Sequence, residues 1–331
     1  MLNKWCEIKG HDQIIASLKR MAAEDRLPHA ILFSGMAGVG KFLTGVALAS
    51  MLLCEKEDGP CGSCPSCTAL QNGVHPDFFL LEPEGKTVQM IKIDQIRQMQ
   101  KAISLAAYMS DKRVVLIRNA DKMNEAASNG LLKTLEEPVG NVFFILTADN
   151  EKKLLPTVIS RCMRIYFAPL ADADISNIIA ARGITGTDGG AVLAKLAGGS
   201  VEQALALYEN DGLANRRAAF EFLTKVFSMT DEGIWTLADQ LATSGKEKFA
   251  EWLLYLQLFW RDMAALDSSL DCTELYNNDM KDALIAIKEK WNINAVFTAC
   301  TYAGEIQRRL LTNADVRLMA EKFIISLLAL K

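Results

Sequence analysis

Gly35-Met36-Ala37-Gly38-Val39-Gly40-Lys41-Phe42 follows the pattern G-x-x-x-x-G-K-[ST] at every fixed position except the last. In that pattern a glycine-rich turn between a strand and a helix lets backbone N–H groups and one lysine hold phosphate, while the final hydroxyl ligates Mg²⁺. The flanks suit such a loop. Ala30-Ile31-Leu32-Phe33 reads as a short buried strand, and Phe42 to Leu53 as an apolar helix. Gly35, Gly40 and Lys41 are therefore the candidate nucleotide-binding residues. Phe42 offers no metal ligand, and Thr44 stands about 4.5 Å beyond Lys41 along the helix axis, too far to replace the missing hydroxyl.

A hydrolysing site also needs acids at the end of a neighbouring strand, to hold the Mg²⁺ shell and orient the attacking water. The strand-like run Val114-Val115-Leu116-Ile117 is followed by Arg118-Asn119-Ala120-Asp121, with no acid directly at its end. Asp121 reads as a helix cap, the alternative being a distorted turn that brings it back to the strand end. With hydroxyl and acids missing together, the expected hydrolysis is negligible. Nucleotide binding is not expected either, since the bulky Phe42 crowds the metal position, and Lys41 is left as either a metal-free phosphate contact aided by loop amides and helix dipole or a structural relic.

The 331 residues suffice for two or three domains, and 50% hydrophobic with 23% charged residues is globular composition. A formal charge of -4 excludes nucleic-acid binding through a global basic field. The N-terminal stretch shows no apolar signal region and no window approaches the length of a membrane helix, so a cytoplasmic protein is expected. In a reducing compartment the eight cysteines are not disulfide material. Four are clustered as Cys54-x₆-Cys61-x₂-Cys64-x₂-Cys67, the spacing of a structural Cys₄ zinc site, in which four thiolates close the tetrahedron at about 2.3 Å and leave no open position. His75 is the weaker candidate ligand and reads as a surface or turn residue, whereas Cys6, Cys162, Cys272 and Cys300 read as buried free thiols. Within the cluster Lys56 faces Glu55, Glu57 and Asp58, an acidic knob that argues against a nucleic-acid grip.

Ala30–Phe33, Phe78–Leu81, Val114–Ile117 and Val142–Leu146 alternate with helical patterns, which implies a parallel sheet between helices. One helix carries Ile93, Ile96, Met99 and Ile103, and another starts near Asn124 and stops before Pro138. From about Ala168 strand signals vanish. The expected division is an α/β core over 1–166 with the zinc module at 54–67, a small helical domain over 167–208, and an all-helical domain over 209–331. The last contains the stripe Phe249, Trp252, Leu253, Leu256, Phe259, Trp260 and Met263, read chiefly as that domain's own core.

Three further segments carry a resemblance: Leu27-Pro28-His29-Ala30, Leu131-Leu132-Lys133-Thr134-Leu135-Glu136-Glu137-Pro138, and Leu155-Pro156-Thr157-Val158-Ile159-Ser160-Arg161-Cys162. With the P-loop and the inserted cysteines, they resemble the clamp-loader subunits of bacterial DNA polymerase III, members of the AAA+ family. The resemblance is strong over residues 8–166 and weaker beyond, where Asn313-Ala314-Asp315-Val316-Arg317-Leu318 carries it. It implies an AAA+ core, a helical lid and a helical oligomerisation collar. It also implies partnership with gamma/tau and delta subunits, the sliding clamp and primer-template DNA. By the same resemblance Arg161, supported by Ser160 and Cys162, acts in trans as an arginine finger in a neighbour's ATP site. Hydrolysing members carry Ser or Thr after the lysine, Asp-Glu at the strand end and an arginine in the lid. Here those positions read Phe42, Arg118-Asn119 and Glu202. These departures suit the non-hydrolysing delta-prime type, a subunit of a DNA polymerase holoenzyme, and oppose the alternative of a gamma/tau-type ATPase with an unorthodox site. Gly130 stands where the family usually has alanine.

Overall fold

The computed structural model describes residues 5–330 apart from 57–58, 86–87, 185–188, 210–211, 268–274, 311 and 313–314. Cys272 therefore lies outside the described residues, as do Asn313 and Ala314 of the C-terminal motif. The chain divides into two compact units, Met1–Ile178 together with Gly198–Glu202, and Ile179–Ala197 together with Gln203–Lys331.

The first unit is built on five parallel strands, β1 (Ala30–Ser34), β2 (Phe78–Leu81), β3 (Arg113–Ile117), β4 (Val142–Ala148) and β5 (Met163–Tyr166), in the order β2-β3-β4-β1-β5. Both faces are covered, as an all-parallel sheet requires. Successive side chains point to opposite faces, so Ile31, Phe33, Val114, Leu116 and Ile145 pack with Leu18, Val46, Leu48 and Ala49 on one side. Leu32, Val115, Ile117, Phe144 and Leu146 pack with Ile96, Met99, Leu131, Leu135 and Val158 on the other.

Four strands thus lie where the apolar runs place them. β5 carries no such run: Met163-Arg164-Ile165-Tyr166 alternates between half-buried and exposed, a weak signal in four residues, whereas the other edge strand, β2, keeps its apolar run. The helix Ile93–Ile103 buries Ile96, Met99 and Ile103. The helix Glu125–Glu136 begins at Asn124, whose side chain accepts the Ala127 N–H at 2.8 Å. Gly130 now has a packing reason. Any Cβ there would meet the Ile93 side chain at 2.5 Å, and its carbonyl accepts from Gln100 Nε2 at 2.8 Å, so the glycine lets two helices approach closely. His29 fastens the start of β1 to the end of the same helix, its Nε2 lying 2.9 Å from the Leu135 carbonyl.

Among the described residues the second unit consists of helices joined by turns, with no strand, and its longest helix, Lys246–Asp267, is its spine. Phe249, Trp252, Leu253, Leu256, Phe259, Trp260 and Met263 are all buried, so the stripe is this unit's core. Phe222, Phe323 and Trp291 close around it in tilted and edge-to-face ring contacts. Its buried charge is paired: Arg216 donates bidentately to Asp279 at 2.7 and 2.9 Å and to Asn277 Oδ1 at 2.8 Å, while Asp262 accepts from Asn277 N at 2.7 Å.

Candidate functional site

The phosphate-binding loop forms between β1 and the helix Lys41–Leu52, with Gly38 and Gly40 at φ 76° and 98°, in the left-handed region. Gly35, Gly40 and Lys41 are thus brought together, but the Lys41 ammonium and the Gly35 and Gly40 carbonyls are engaged by the protein's own chain. Lys41 is only 5% exposed. Its Nζ donates to the Gly35 and Met36 carbonyls at 2.8 and 2.6 Å and pairs with Asp149 Oδ1 at 2.8 Å. Asp149 is held in turn: Asn119 Nδ2 donates to its Oδ2 at 2.7 Å, and its own N–H reaches Asp121 Oδ1 at 3.2 Å. Asp121 is therefore not the helix cap that its spacing suggests; a 3₁₀ turn over Ala120–Lys122 carries it back to the end of β4.

The remaining positions of a hydrolysing site are filled by other chemistry. The Arg118 guanidinium lies 4.6 Å from the Phe42 ring centre and pairs with Glu82 at 2.9 Å, so the aromatic that replaces the metal-binding hydroxyl is capped by a cation. Thr44 is buried and donates to the Gly40 carbonyl at 3.0 Å, as a helix-internal hydroxyl does. Over the loop lies the segment Ser200-Val201-Glu202, whose Val201 N–H donates to the Gly38 carbonyl at 3.0 Å. A side chain at Gly38 would collide with Ser200 and Glu202.

The second candidate corner lies at the far end of the short helix Pro156–Ile159, just before β5. Arg161 NH1 donates to the Thr157 carbonyl at 2.7 Å and lies 3.5 Å from Ser160 Oγ. Its NH2 donates to Glu136 Oε1, on the last residue of the helix Glu125–Glu136. Ser160 Oγ also donates to Thr157 O, at 3.1 Å. Cys162 packs half-buried against the core and burial pushes its thiol up to about 11, so it serves as an apolar footing. A surface cavity of about 430 Å³ opens beside this corner, lined by Pro156, Ile159, Ser160, Cys162 and Arg164.

The third site is the cysteine cluster. Cys54, Cys61, Cys64 and Cys67 bring their sulfurs within 4.8 Å of one another. The Cys54–Cys64 and Cys61–Cys67 separations are 4.0 and 3.9 Å, close to the roughly 3.8 Å edge of a tetrahedron with metal–sulfur bonds of about 2.3 Å. Backbone N–H groups of Lys56, Cys64 and Cys67 point at the sulfurs of Cys54, Cys61 and Cys64, each at 3.4 Å. Such donors stabilise thiolate, and those of Ser63 and Cys64 bring Cys61 down to about 5, whereas burial holds Cys67 up at about 12. The four residues can hold a metal ion.

His75 lies outside that donor set; it opens a turn, its carbonyl accepting the Phe78 N–H at 3.3 Å, but it is not a surface residue. It is buried, with Nε2 2.9 Å from Ser66 Oγ and Nδ1 accepting the Asp77 N–H at 3.0 Å. Burial lowers its pKa and keeps the ring neutral to brace the helix Pro65–Gln71. Among the other cysteines, Cys6 is exposed and Cys162 and Cys300 are half-buried, so none of these three is fully buried as the sequence suggests. Sequence reading also assigned no role to Asp149 or Glu136. Asp149 carried one signal: it directly follows β4, the strand paired beside the P-loop strand in the register Ser34↔Ala148.

Residues 10–171 match the family described as DNA polymerase III, delta subunit. The delta-prime subunit of DNA polymerase III from Bacillus subtilis is 29% identical over 323 residues, 95% of either chain. That of Pseudomonas aeruginosa is 38% identical over 194 residues, 57% of this chain and 58% of the relative. In fold, the crystal structure of a DNA polymerase III gamma subunit-related protein from Thermotoga maritima superposes with a TM-score of 0.52 at 15% identity, covering 96% of this chain and 99% of the other. A P-loop core on a parallel sheet, followed by helices, is the fold shared with that structure, and the sequence relatives give the class as a clamp-loader subunit. Within that class the chain belongs to the delta-prime family of bacterial DNA polymerase III.

Proposed function

We propose that this clamp-loader subunit is non-hydrolysing and acts by lending Arg161 to the ATP site of a neighbouring subunit. The observation that carries the reading is the contrast between two cations. Lys41, which would have to meet phosphate, is buried and neutralised by Asp149, while Arg161 remains one-third exposed. Phe42 under Arg118 and Glu202 beside Gly38 stand where Mg²⁺ and phosphate contacts belong. A guanidinium presents a fixed fork of donors suited to a γ-phosphate, and such fingers contribute about 10³ to 10⁵ in turnover.

In this reading residues 167–208 form the lid and 209–331 the collar that joins gamma/tau and delta subunits into a ring, which places the sliding clamp on primer-template DNA. The cysteine cluster holds structural Zn²⁺, supported by its sulfur spacing and backbone donors. When bound, the ion supplies a local cross-link and no open coordination site. Among the described residues no helix is long and apolar enough to cross a membrane, and the proposed place of action is the cytoplasm.

The test is steady-state ATP turnover by the isolated protein at saturating Mg²⁺-ATP, beside that of a ring reconstituted with cognate gamma or tau, delta and clamp. The expected result is no turnover above background for the chain alone and DNA-stimulated turnover for the ring. Steady turnover by the isolated chain would favour a gamma/tau-type ATPase instead.

A further inference from the structure

The guanidinium of Arg161 touches the chain on one side only. NH1 directs its hydrogens to Thr157 O and Ser160 Oγ, and NH2 gives one to Glu136. Nε–H and the second NH2 hydrogen are left without an acceptor in the described chain. Arginine has five donors, so the contacts fix the plane of the group while leaving a free edge. The two supports come from different elements, the end of the helix Glu125–Glu136 and the short helix Pro156–Ile159, which are packed together. A long side chain that otherwise samples many rotamers is thereby held in one orientation before any partner arrives.

We propose that Glu136 is a positioning residue for Arg161, pre-orienting its free edge toward the anionic phosphate of the neighbouring site. This inference rests on the trans-acting role of Arg161 proposed above. It also answers why the carboxylate does not silence the finger: Glu136 occupies one donor of five and its own side chain is 47% exposed, so the pair is partly solvated and weak enough to yield. Its contribution falls on the rate of the chemical step, since the orientation matters most when charge on the phosphoryl oxygens is redistributed.

DNA-stimulated ATP turnover of the reconstituted ring is measured with Glu136→Gln, Glu136→Asp, Arg161→Ala and the double variant Glu136→Gln/Arg161→Ala, ring assembly being verified by size-exclusion chromatography. Glu136→Gln is expected to lower kcat about 3- to 10-fold with KM for ATP nearly unchanged. Glu136→Asp should recover part of the loss, and Glu136→Gln should add nothing on the Arg161→Ala background. The inference is overturned if Arg161→Ala abolishes turnover while Glu136→Gln leaves it at the wild-type rate or raises it. It is overturned equally if the two losses multiply in the double variant. If Arg161→Ala keeps full turnover, the finger reading fails first and takes the positioning role with it.

Discussion

Two cations of the same unit, Lys41 and Arg161, sit in motifs associated with ATP, and the structure treats them in opposite ways. Lys41 is surrounded by two loop carbonyls and Asp149 and is nearly inaccessible. Arg161 lies on the surface, braced on one side and open on the other. A motif that survives in sequence can therefore have been absorbed into the architecture, while another retains the exposure that chemistry with a partner requires. Burial and the identity of the counter-ion separate the two cases; the presence of the lysine or arginine does not.

The comparison predicts effects of very different size. Arg161→Ala should lower ring turnover by about 10³-fold or more without loosening the protein, since its pair with Glu136 is solvated and exposed pairs contribute little to stability. Thermal unfolding of the Arg161→Ala chain checks the second half of that statement.

Removing the metal proposed for the four cysteines is the next largest perturbation. Treatment with a strong chelator, or Cys67→Ser, should destabilise the insertion by about 4 kcal/mol or more, because loss of a metal belongs to the few causes of such large effects. Metal content and a lowered melting temperature, with ATP turnover of an assembled ring unchanged, are the readouts. A loss of turnover in assembled rings would give the module a task beyond local folding.

Lys41→Ala should cost about 1–2 kcal/mol, since Asp149 loses its partner but is one-third exposed and can be hydrated. Denaturant unfolding measures this. The smallest effect is expected from Phe42→Thr, which restores the consensus hydroxyl. It should produce no detectable hydrolysis by the isolated chain, because Arg118 and Glu202 still occupy the other positions. Turnover appearing in that variant would erase the distinction between the two cations.

The parts that were legible in the sequence are those written locally. Buried parallel strands are continuous apolar runs, so β1, β3 and β4 announce themselves, edge strand β2 does so through Phe78–Leu81, and Asn124 and Pro138 bracket a helix by cap and stop. The P-loop and the cysteine cluster are short-range patterns whose geometry follows from spacing. The rest is tertiary. β5 has only one half-covered face, and the turn that His75 opens gives no sign that Ser66 and Asp77 will enclose its ring. Asp149 and Glu136 meet their cations only after the sheet has assembled, and an acid beyond a strand or at a helix end is usually solvated. No local rule distinguishes a carboxylate that neutralises a phosphate loop from one that faces water.

The most direct test sets Lys41→Ala and Arg161→Ala side by side in the reconstituted ring and measures DNA-stimulated ATP turnover at equal ring occupancy. The account predicts wild-type turnover for Lys41→Ala and nearly complete loss for Arg161→Ala. Loss of turnover with Lys41→Ala, or its retention with Arg161→Ala, would contradict the claim that this subunit keeps its own site silent and serves its neighbour's.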